Sequence, residues 1–163
     1  MKDSSTAAHN NGQARPRSQA GRKAEPGLDA ARCAAELLTI VAYITADDGP
    51  LQASPDPAGR VSPWHRRLLL KAMERLDIID AYMRGRVAFL VAGPERGYHA
   101  PEEELELAGA ALDTCRATTP VVDALLSGRL PTRPEFETMG QTALAINPAL
   151  DRLSRSSGGL GTC

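Results

Sequence analysis

The stretch SPWHRRLLLKAMERLDIIDAYMRGRVAFLVA, residues 62–92, decides the fold. Leu69, Met73, Leu76, Met83, Val87 and Leu90 fall on one face of a helix, and Asp80 alone interrupts them. Ser62 is placed to cap the helix. Pro63 follows at the first helical position, where a missing amide hydrogen is harmless. Gly93-Pro94 then ends the element.

Upstream, LDAARCAAELLTIVAYITA puts Cys33, Leu37, Ile40 and Ile44 on one face, with Asp29 as a first-turn carboxylate. It stops near Asp47-Asp48-Gly49-Pro50. The connection through Pro55, Pro57 and Gly59 to Val61 is long enough to leave the relative direction of the first two helices open. Downstream, Pro101 and a run of glutamates, Glu102, Glu103, Glu104 and Glu106, open a third helix. It runs antiparallel to the second, with the stripe Leu105, Ala108, Leu112, Cys115, Val122 and Leu126. Pro120 is expected to kink this helix or restart it with Thr119 as cap.

Gly128 and Pro131 close that element, and Thr132-Arg-Pro-Glu135 has the pattern of a capping box. Phe136, Met139, Ala143, Ile146, Leu150 and Leu153 form a fourth stripe, with a split at Asn147-Pro148. The expected architecture is therefore all-α: a four-helix bundle with a kinked or split last helix. The bundle domain covers residues 28–153, between a disordered, weakly basic tail at 1–27 and a flexible end at 154–163.

Composition agrees with this. Of the 163 residues 42% are hydrophobic and only 4% aromatic, so the core must be built from aliphatic side chains that suit close helix packing. The formal net charge is −1, but residues 1–27 carry Lys2, Arg15, Arg17, Arg22 and Lys23 against Asp3 and Glu25. The tail is thus net positive and the remainder net acidic. No apolar run is long enough to span a bilayer, and MKDSSTAAHNNGQ lacks the apolar stretch of a signal peptide, so a cytoplasmic location without membrane contact is expected. Cys33, Cys115 and Cys163 show no paired short spacing, which argues against a disulfide framework or a zinc site. The first two read as buried thiols and the third as exposed.

No constellation fixes a reaction. Glu74, Asp77 and Asp80 could gather a divalent cation. Arg84 stands four residues from Asp80, however, and no second acidic motif faces them, so ion pairing is the expectation and neither metal nor cofactor is assigned. His65 and His99 could serve as bases, but they read as solvated because neither has an evident partner. Catalytic residues are accordingly none. Arg66, Arg67, Lys71 and Arg75 form a basic ridge that, with the tail arginines, could follow a phosphate backbone. Against that, a hairpin of helices two and three would bring Arg84 and Arg86 near Glu106 and its neighbours, and Lys71 near Asp123. QTALAINPALDRLSR has a faint helix-turn-helix outline without a glycine turn. Gly85 and Gly109 would allow close helix contact, and apolar faces could serve self-association.

The leading functional expectation is a non-enzymatic interaction protein, an adaptor, chaperone-like or regulatory subunit, that binds a protein partner or itself through apolar helix surfaces. The alternative is a nucleic-acid-binding accessory protein using the basic ridge. A third is a small enzyme or cofactor binder around Asp77, Asp80 and His65 or His99.

Overall fold

The computed structural model describes residues 26–52, 61–98 and 100–158. Residues 1–25 of the expected disordered tail, with the tail arginines, and His99, Cys163 and the prolines Pro55 and Pro57 of the first connection lie outside the described residues, whereas Pro26 and Gly27, also counted in that tail, begin the first helix. Four helices make the fold: α1 Pro26–Thr45, α2 Pro63–Ala92, α3 Glu102–Leu126 and α4 Arg133–Gly158, with a 3-10 turn at Pro94–Arg96. The all-α bundle expected from the sequence is the fold observed. Helix α3 packs against all three others, α2 and α4 do not meet, and among the pairs that touch α1 and α2 do so least.

Helix directions follow from cross-helix pairs. Glu36 meets Arg75 and Tyr43 meets Trp64, so α1 and α2 are antiparallel. Arg86 meets Glu104 and Arg152 meets Glu106, so α3 reverses α2 and α4 reverses α3. The result is an up-down-up-down bundle, which settles the direction that the long first connection left open.

Local signals act where they were read. The Ser62 hydroxyl accepts a hydrogen bond from the His65 amide at 3.2 Å, and Pro63 occupies the first turn of α2. At α4 the capping box closes both ways: Glu135 accepts from the Thr132 amide at 2.6 Å, and the Thr132 hydroxyl accepts from the Glu135 amide at 3.4 Å. Gly128 takes the left-handed conformation that ends α3, with φ 72°, and Arg129 then returns its amide to the Ala124 carbonyl.

Arg129 also grips Glu135 through two hydrogen bonds, of 3.0 and 3.1 Å. The Arg129 bond first, and then the Thr132 amide and hydroxyl, hold the Glu135 carboxyl down from 4.5 to about 2. A depressed carboxylate contributes stability that is present above its unfolded value and is lost as pH falls through the folded one. Glu135→Gln should therefore remove part of the acid sensitivity between about pH 4.5 and 2. Thermal unfolding followed by circular dichroism across that window reads it, and identical pH slopes in variant and parent would refute the assignment.

Several local expectations are corrected. Helix α3 runs unbroken through Pro120, and Thr119 caps nothing: its hydroxyl turns back to the Cys115 carbonyl at 3.0 Å. Thr114 and Thr118 bond the carbonyls four residues back in the same way, and packing on three sides holds the helix together despite the missing amide. Helix α4 likewise contains Pro148 within one continuous element, so the last helix is not split. It also extends to Gly158, past the boundary expected at residue 153. Phe136, counted in the α4 stripe, is exposed, while Ala149 joins the core instead.

The core is a single aliphatic cluster drawn from all four helices, including Leu37, Ile44, Leu69, Leu76, Ile79, Met83, Leu107, Val121, Met139 and Ile146. Met73 and Val87 only flank it. The buried row on α2 is His65, Leu69, Ala72, Leu76, Ile79, Met83 and Leu90, which keeps the three-four alternation but takes Ala72 and Ile79 in place of Met73 and Val87.

Candidate functional site

Each side chain singled out in the sequence has a definite place. On the basic ridge, Arg75 forms a two-pronged pair with Glu36 of α1, at 2.5 and 2.7 Å. That bond holds the Glu36 carboxyl below its ordinary range and the guanidinium above its own. Arg66 donates to the Leu126 carbonyl at 3.1 Å, closing the C-terminal turn of α3. Arg67 and Lys71 remain exposed. The ridge is thus half committed to holding the bundle together, and two cations are left facing solvent.

The acidic segment of α2 behaves as ion pairing predicts. Asp80 is paired with Arg84 one turn on and lies 3.9 Å from Arg116 of α3, while Asp77 is exposed. Together with Thr119 and Asp123 these side chains line an open groove of about 620 Å³. Among the described residues no group of His, Cys, Asp and Glu is arranged to hold a metal ion.

Arg86 meets the glutamate cluster as the hairpin argument expected, at Glu104 rather than Glu106, through Nε at 2.7 Å and a second nitrogen at 2.5 Å. Glu106 takes Arg152 of α4 instead. The difference arises because Glu104 points into the α2–α3 seam and is only 3% exposed, whereas Glu106 turns toward α4. Burial works against the Arg86 charge, yet Glu104 and Tyr98 together outweigh it and hold the guanidinium up. Its carbon also sits 5.0 Å over the Phe89 ring.

The two described thiols, Cys33 and Cys115, are both held above their ordinary range. Cys115 is buried, donates to the Leu76 carbonyl at 3.1 Å, and is pushed up to about 11 by burial and then by Asp77. Cys33 is half-buried, and burial followed by Glu36 raises it too.

His65 is the main correction. Expected in solvent, it is only 7% exposed, because it lies four residues before Leu69 on the buried row. That spacing was the signal for its burial. Its ring meets Trp64 at 5.0 Å and Tyr43 at 6.1 Å, between the end of α1 and the start of α2. The helix-turn-helix outline also fails, since residues 141–155 lie inside one helix.

What remains is surface. Helix α2 turns Leu70, Ile78 and Phe89 outward, 51%, 49% and 40% exposed, and a side chain at Gly85 would meet nothing within 4 Å. Gly109 is equally open, so neither glycine brings helices together within the bundle. Among the described residues no helix is long and apolar enough to cross a membrane. No protein-family model, curated protein or solved structure matches the chain.

Proposed function

We propose that the protein is a non-enzymatic helical interaction protein whose contact surface is the outer face of α2. The observation that carries this reading is the row of Leu70, Ile78 and Phe89 standing out from a 30-residue helix that packs closely on α3 alone. An amphipathic helix can lay such a face against a partner, with large apolar side chains as its anchors. Ala81 and the open Gly85 lie on the same face and would let a second helix approach its backbone.

The occupant that fits with fewest assumptions is the same face of a second copy, because a two-fold axis makes one apolar row its own complement. From Leu70 to Phe89 the row is about 28 Å long at 1.5 Å per residue. A contact of that size belongs with weak, reversible assemblies rather than obligate dimers. A reducing, cytoplasmic setting suits the thiols of Cys33 and Cys115.

Sedimentation velocity over a hundredfold concentration range, at low and high salt with detection at 260 and 280 nm, tests the proposal. The expected result is a concentration-dependent, salt-insensitive dimer that Ile78→Glu abolishes while leaving the circular dichroism spectrum unchanged. A monomer throughout, with Ile78→Glu indistinguishable from the parent, sinks it. Co-purifying nucleic acid that salt removes would transfer the function to Arg67 and Lys71 instead.

A further inference from the structure

Where α1 ends and α2 begins, the Tyr43 hydroxyl and the His65 Nδ1 are both buried, and neither has a hydrogen-bond partner among the described residues. Their rings are 6.1 Å apart and tilted by 47°, and Trp64 packs edge-on against both, at 5.0 Å from His65 and 6.4 Å from Tyr43. A buried polar atom left unpaired costs on the order of 1–3 kcal/mol, so two on neighbouring rings of one seam call for compensation. Among the described residues, neither the indole N–H of Trp64 nor the Ser62 hydroxyl, which accepts the His65 amide, is hydrogen-bonded to either atom.

We propose that Tyr43 and His65 share one water molecule, which joins the phenol oxygen to Nδ1 and makes the pair a binding site for a single small donor–acceptor guest. A water has the required chemistry on both sides, accepting from one group while donating to the other. It also gives the least-packed helix junction of the bundle a polar link that an aliphatic pair would not supply. This inference does not depend on the α2 surface.

A double-mutant cycle on the full chain decides it, because the two possibilities give opposite signs. With a shared guest, Tyr43→Phe lowers the midpoint of thermal unfolding, and adding His65→Phe to it costs less than His65→Phe alone. With two separately unpaired atoms, Tyr43→Phe raises the midpoint or leaves it unchanged and the two substitutions add, which overturns the proposal. Trp64, the sole tryptophan, reports the same seam by its fluorescence. To separate water from a side chain of the preceding connection, the cycle is repeated with Ser54, Asp56 and Arg60 replaced by alanine. Coupling that survives supports the water, and coupling that disappears assigns the guest to the chain and overturns it.

Discussion

Arg86→Ala is expected to cost about 3–5 kcal/mol, enough in a domain of this size to lower the unfolding midpoint by on the order of 10 °C. The reason lies in what the substitution leaves behind. The Glu104 side chain is 4% exposed and Arg86 is 12% exposed, so truncating the arginine strands a carboxylate in the seam between α2 and α3. The position of Glu104 in the first turn of α3, where the helix dipole favours a negative charge, softens the loss without removing it. Replacing both partners with apolar residues, Arg86→Met with Glu104→Leu, should cost far less than either single truncation, since no charge is then left unpaired. Chemical denaturation of the three variants measures this. If Arg86→Ala costs under about 1 kcal/mol, water reaches the carboxylate and the pair is a surface pair.

Leu76→Ala should be the most damaging of the simple core truncations, at about 2–5 kcal/mol. Leu76 is fully buried near the middle of the longest helix, and its carbonyl receives the Cys115 thiol of α3. A cavity there cannot be filled by sliding α2, because Arg75 on one side and Arg86 on the other are fixed to Glu36 and Glu104. Leu70→Ala on the exposed face of the same helix is the control, and at dilute concentration it should change stability by no more than about 0.5 kcal/mol. Equal costs at the two positions would contradict the placement of the core.

The helices were legible in the sequence because each combines an aliphatic stripe with a local terminus signal. Ser62-Pro63, Thr132 with Glu135, and Gly128 all act as those residue types dictate. The breaks read at prolines 120 and 148 do not occur. A proline breaks an isolated helix, but here the surrounding packing decides, and only the tertiary structure shows that packing. The second buried arc of α3, with Leu107, Ala111, Thr114, Thr118 and Val121, was missed for the same reason: a helix touching three neighbours buries more than one stripe. His65 was misplaced because a polar side chain was weighed by its type rather than by its four-residue step to Leu69. The pairings of Arg75 and Arg86 depend on axial offset between helices, which periodicity does not encode. The outward row on α2 was only partly visible, since Leu70, Ile78 and Phe89 follow the same helical spacing as the core and differ from it only in direction.

The three Arg–Glu pairs that join α1 to α2, α2 to α3 and α3 to α4 divide evenly, one to each successive hairpin. An interior of leucine, alanine and valine is permissive about sliding: displacing one helix by a heptad, about 10.5 Å, still sets aliphatic against aliphatic. A forked guanidinium gripping one carboxylate tolerates no such displacement. The pairs therefore work as index marks. They contribute less to how strongly the four helices cohere than to which of several near-equivalent alignments the chain adopts, and they make that choice separately at every turn of the chain.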